Sequence, residues 1–129
     1  MKKNKLTLAK EWLVKGGHDM ETAQFLYDSN RPTDMIAIHI QQAIEKYLKG
    51  FLIYKGWKLR KIHDLEELIT DTIKIDKTFN EFLDSCRAIS RYYFEIRYPP
   101  EVEEYTKEEI EDSLSTAWEI VKKIKEVVK

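Results

Sequence analysis

Apolar residues recur along this chain at spacings of three and four rather than two, so helices are predicted throughout. From about Thr7 to Asp28, Leu8, Ala9, Trp12, Leu13, Met20, Ala23, Leu26 and Tyr27 share one arc, and Asn30-Arg31-Pro32 stops the run. Gly16-Gly17 is a weak point where this helix is expected to kink. A second segment, about Asp34 to Lys55, places Ile36, Ile40, Ala43, Ile44, Tyr47, Leu48, Phe51 and Tyr54 on one face. Thr33 is its expected N-cap, and Gly56 stands where helices end in a left-handed residue.

A short helix is expected from about Asp64 to Lys74, with Glu67 three residues after Asp64 as in a capping box. Thr78 and Glu81 repeat that spacing ahead of a fourth segment, about Phe79 to Ile96, whose apolar face includes Phe82, Cys86, Ile89 and Tyr93. Pro99-Pro100 closes it. Thr106 and Glu109 open a fifth segment, about Lys107 to Val128, striped by Ile110, Leu114, Ala117, Trp118, Val121, Ile124 and Val128. Four long amphipathic helices, one short helix and brief connections imply an all-α, antiparallel up-and-down helical bundle occupying residues 1–129 as a single domain.

Composition narrows the function. The chain has 129 residues, 43% hydrophobic and 35% charged, with 22 basic against 23 acidic side chains. The net charge of −1 gives no general attraction to nucleic acid or a membrane surface. The Lys/Glu-rich composition would suit a heat-adapted source. No run approaches the ~18 apolar residues of a membrane span, and no apolar stretch follows the basic N-terminus, so a soluble cytoplasmic protein is expected. The single cysteine, Cys86, permits no internal disulfide, and its place on an apolar arc favours a buried structural thiol over a nucleophile. Phosphate-cradling glycine motifs and the Glu-x-x-His and His-Glu-x-x-His metal motifs do not occur, so no metal site is expected.

Three groups of residues carry candidate chemistry. His39, Gln42, Lys46 and Lys49 lie on one flank of the second helix. The two lysines continue into Lys55, Lys58, Arg60 and Lys61 with no acid before Asp64, a local positive patch able to hold phosphates. The alternative is a solvated face whose lysine stems cover apolar neighbours. Asp19 falls among Trp12, Ala23 and Leu26 on the apolar arc, where an unpaired carboxylate is costly, so a structural ion pair with Arg87 or Arg91 is expected. Arg97 and Tyr98 stand where the fourth helix ends and suit an anion and a stacked base. Their alternative is packing and pairing with the acidic stretch Glu101 to Glu104.

Taken together, His39-Ile40-Gln41-Gln42-Ala43-Ile44-Glu45-Lys46-Tyr47-Leu48-Lys49, His63-Asp64-Leu65 and Arg97-Tyr98-Pro99, with Trp12 and Asp19 upstream, resemble the HEPN domain family from about Leu8 to Ile124. The resemblance implies a small helical bundle that forms a homodimer. It also implies either pairing with a minimal nucleotidyltransferase, as in a toxin–antitoxin-like system, or ribonuclease activity. The ribonuclease branch uses an arginine followed, after four to six intervening residues, by a histidine. After Arg87 those positions hold Tyr92, Tyr93 and Phe94, and after Arg91 they hold Ile96, Arg97 and Tyr98. The expectation is therefore a non-catalytic bundle that binds a nucleotide or a nucleotidyltransferase partner, with Gln42, Lys46, Lys49, Arg60, His63, Arg97 and Tyr98 as the binding set. Phe25, Ile38, Ile53 and Tyr92, apolar but off the core arcs, are the expected dimer surface. Two alternatives stand beside it: a divergent ribonuclease acting on RNA through His63 or His39, and a pure protein-interaction module.

Overall fold

The computed structural model describes residues 4–95 and 105–129, apart from the Phe94 side chain. Among them the order is α1 (Lys5–Asp28), α2 (Thr33–Tyr54), α3 (Leu65–Ile75), a 3-10 turn (Lys77–Phe82), α4 (Leu83–Ser90), α5 (Tyr92–Glu95) and α6 (Lys107–Val127). The described residues form no strand. The architecture is the expected all-α antiparallel bundle.

The centre of the bundle is α2. It packs against α1, α3, α4, α5 and α6 and buries 14 of its 22 residues, so its apolar surface is covered on nearly every side. Tyr47, Phe51, Ile40, Ile44 and Leu48 fill the middle, joined by Met20 from α1, Leu68 and Ile69 from α3, and Ile120 and Ile124 from α6. The most extensive contact is α1 on α2, and two glycines let the helices come close. A Cβ on Gly16 would stand 2.7 Å from Cδ2 of Tyr47, and one on Gly50 would stand 2.9 Å from Cδ2 of Leu13. Gly16 therefore marks a helix crossing; α1 runs unbroken through Gly16-Gly17.

The helix ends follow local rules. Both α1 and α2 close with paired bonds back into the last turn: Asn30 N–H to the Tyr27 carbonyl with Arg31 to Leu26, and Gly56 N–H to Ile53 with Trp57 to Leu52. Asn30 (φ 54°) and Gly56 (φ 101°) supply the left-handed residues these motifs need. Thr106 Oγ1 accepts from Glu109 N–H at 3.1 Å, as its capping-box spacing predicts. Two predicted caps differ. Thr33 is already helical, with Pro32 at the cap position. Thr78 does not start the fourth segment, because the Asp76 carboxylate accepts from its N–H (3.0 Å) and hydroxyl (2.6 Å) and begins winding two residues earlier.

The fourth segment is divided. Phe79 and Phe82 both point inward from the 3-10 turn, where a repeat of three residues per turn keeps i and i+3 on one face. A bend at Arg91 then separates α4 from α5. The predicted end at Ile96 lies outside the described residues, as do Arg97 and Tyr98.

Candidate functional site

The polar residues of α2 sort into two clusters, one on each flank. On the α1 side, Asp19 is mostly buried and meets two donors from α2: its Oδ1 takes His39 Nδ1 at 3.0 Å and its Oδ2 takes the Lys46 ammonium. The expected partners Arg87 and Arg91 do not serve Asp19. Helix α1 lies against α2, whereas Arg87 sits on α4 and pairs with Glu66 (3.0 Å) and Asp84 (3.7 Å). Arg91 is exposed at the α4–α5 bend.

On the other flank, Glu45 is buried at 3% exposure and binds three donors. Oε1 accepts from His63 Nδ1 at 3.0 Å and from the Gln41 amide at 3.3 Å, and Oε2 accepts from Lys49 Nζ at 3.3 Å. Lys49 is equally buried at 3% and lies 5.4 Å from the centre of the Trp12 ring. Gln41 also donates to the His63 carbonyl, and its own Oε1 accepts from the Gln42 amide at 2.7 Å. The segment between α2 and α3 is thus tied to α2 by both the backbone and the ring of His63.

Because an ionised carboxylate only accepts, each histidine carries its proton on Nδ1, leaving Nε2 as the second nitrogen. His63 is half exposed, and its ring stacks on Tyr93, centroids 4.7 Å apart and planes 10° from parallel. A buried carboxylate behind Nδ1 and an aromatic ring on one face hold this imidazole in one orientation, the arrangement that suits proton transfer at Nε2.

Arg60 falls elsewhere. It packs 5.3 Å from the Trp57 ring and pairs with Asp71 (3.0 Å) and Glu67 (3.8 Å) of α3. Of the predicted binding set, then, Gln42, Lys49 and His63 join one network through Gln41 and Glu45, while Lys46 belongs to Asp19 and Arg60 to Asp71. The linear run of positive charge is interleaved in space with carboxylates from α1, α2 and α3, so Lys46, Lys49 and Arg60 are each already paired. Arg97 and Tyr98 lie outside the described residues. Sequence reasoning passed over Glu45, although the spacing Gln41, Glu45, Lys49 puts all three on one face of α2.

The remaining candidates are quickly placed. Cys86 is fully buried, and burial pushes its thiol up to about 12, so it is an inert packing residue. Among the described residues no cluster of three or more His, Cys, Asp or Glu is arranged to hold a metal ion, and no helix is long and apolar enough to cross a membrane. The expected dimer surface does not form one patch: Ile53 and Tyr92 are buried in the core, and only Phe25 is strongly exposed. Trp118, expected in the core stripe of α6, is 40% exposed instead.

Comparison with known proteins agrees with this architecture. The chain is 28% identical over 136 residues to "Putative toxin MJ1304" of Methanocaldococcus jannaschii, covering 94% of this chain and 88% of that protein. Its fold matches the crystal structure of TT1696 from Thermus thermophilus with a TM-score of 0.79 at 24% identity, over 92% of this chain and 96% of the other. It also matches ST0689, described as an archaeal HEPN homologue, with a TM-score of 0.75 at 22% identity over the whole of both chains. The HEPN domain family itself matches residues 9–127. Nearly the entire bundle, from the second turn of α1 to the end of α6, is thereby accounted for, and the chain belongs to the HEPN domain family.

Proposed function

We propose that this chain is the HEPN component of a toxin–antitoxin-like pair and acts by binding a partner protein, a minimal nucleotidyltransferase, rather than by cleaving RNA. The observation that carries the reading is the similarity, over 94% of the chain, to an archaeal protein named as a toxin candidate, within a family match that spans the bundle. The non-catalytic part is supported by the residues that follow Arg87 and Arg91, none of which is a histidine at the family's ribonuclease spacing. Nucleotide capture by the lysine patch has less support than partner binding. A phosphate there would have to displace Asp19 from Lys46, Glu45 from Lys49 or Asp71 from Arg60.

The test is co-expression with a nucleotidyltransferase encoded beside this chain. Under this reading the partner should co-purify with the chain as a stable complex. Failure of the two proteins to form a complex would overturn the proposal.

One observation favours a second reading. The His63 imidazole, backed by buried Glu45, is built for general acid–base work. Pure protein incubated with structured RNA should leave it intact under the leading reading. Cleavage that disappears in His63→Ala would replace that reading with a ribonuclease.

A further inference from the structure

Of the three histidines, His63 alone combines a fixed ring with open access. Its side chain is 47% exposed, whereas that of His39, held by Asp19 in the same manner, is 29% exposed. His18 is exposed, but among the described residues no carboxylate holds its ring.

The surroundings of His63 decide which nitrogen can react. Nδ1 donates to Glu45 Oε1 at 3.0 Å, so the free lone pair is on Nε2. Among the described residues nothing bonds Nε2. A carboxylate behind Nδ1 fixes this tautomer and pushes electron density toward the opposite nitrogen. Tyr93 stacked on one ring face, and the Gln41 bond to the His63 carbonyl, keep the ring from turning.

The local charge suits an incoming anion. A bare Glu45 would repel one, but Lys49 Nζ lies 3.3 Å from its other oxygen and offsets the charge. Asp64 is committed to the cap of α3 and to the Ser90 hydroxyl, and Glu66 is committed to Arg87. Lys58 and Lys61, in the same loop as His63, are exposed and carry no ion pair among the described residues. The potential at this loop is therefore positive on a chain whose net charge is −1.

We propose that His63 is a phosphoryl acceptor, whose Nε2 takes a phosphoryl group from an acyl phosphate and holds it as a phosphoramidate. Histidine is one of the side chains able to carry such a covalent intermediate. The Nε2 lone pair attacks phosphorus and a P–N bond forms. The P–O bond to the acyl group breaks, and its electron pair leaves on the carboxylate product. The leaving group needs no proton. The ring gains positive charge, and its Nδ1 proton, already bonded to Glu45, lets the carboxylate stabilise that charge. The proposal shares its imidazole with the ribonuclease alternative but involves no RNA, so either can fail while the other stands.

The test is incubation of the full chain with acetyl phosphate, followed by mass-spectrometric mapping of acid-labile phosphohistidine. His63 should label at least about tenfold faster than His18, which is exposed but unheld, and faster than His39, which is held but less open. Phosphorus NMR should place the group on Nε2. His63→Gln, its folding checked by circular dichroism, should lose that label. Three results would each overturn the proposal: no phosphohistidine at position 63 in the wild type, labelling there no faster than at His18, or a phosphoryl group on Nδ1.

Discussion

The buried pair Glu45 and Lys49 makes an asymmetric prediction. Both side chains are out of water, at 3% exposure each, but they are not equally provided with partners. Glu45 has three donors: His63, Gln41 and Lys49. Lys49 has one carboxylate and, behind it, the face of Trp12. Glu45→Gln therefore strands a buried ammonium with only a ring and a neutral amide, and breaking a buried pair in this way costs about 3–5 kcal/mol. Lys49→Met removes the cation but leaves Glu45 with two donors, the His63 ring and the Gln41 amide. Its cost should be about 1–3 kcal/mol, the range for a lost hydrogen bond to a charged group. The double variant removes both charges from the interior and should be less harmful than Glu45→Gln alone, a coupling of about 1.5–3 kcal/mol. For a domain of this size ~4 °C of melting temperature accompanies each kcal/mol, so Glu45→Gln should melt about 12–20 °C below wild type. Urea unfolding followed by circular dichroism at pH 7, on all four members of the cycle, measures these terms. The reasoning is refuted if Lys49→Met proves the more damaging single change, or if the two effects simply add.

Two further predictions come from the packing. Gly16→Ala should destabilise by roughly 1–3 kcal/mol, because its Cβ would press on the buried Tyr47 ring, whereas Gly17→Ala meets only the Tyr47 hydroxyl at 3.5 Å and should stabilise by about 0.5–1 kcal/mol through helix propensity; thermal melts of the two variants will show opposite signs. With its thiol pushed up to about 12, Cys86 holds roughly one part in ten thousand thiolate at pH 8, so a thiol reagent should label the native chain only as fast as it unfolds and label it promptly in denaturant.

What the sequence alone determined here is what depends on residues close together in the chain. The apolar stripes spaced by three and four placed the four long segments, because the helical repeat is a local property. Gly56 announced the end of α2, Thr106 the start of α6, and the His39–Lys49, His63–Leu65 and Arg97–Pro99 motifs the family. The division of the fourth segment was half legible: the inward pair Phe79 and Phe82 is spaced by three, but the decision to wind tightly there came from Asp76 taking both donors of Thr78.

Only the tertiary structure decided which charges meet. The basic run from Lys46 to Lys61 has no carboxylate within it in sequence, yet Asp19, Glu45 and Asp71 reach its members from three helices, because crossing geometry, not sequence distance, selects partners. Asp19 was recognisable as needing a cation, but whether that cation stood on α4 or α2 depended on which helix α1 touches. Gly16 and Gly50 let α1 and α2 approach closely, and that contact hands Asp19 to His39 and Lys46. Trp118 shows the same limit from the other side: its stripe position predicts burial, and only the neighbouring helices left it exposed. Periodicity tells a side chain which way to face; what it faces is a property of the assembled bundle.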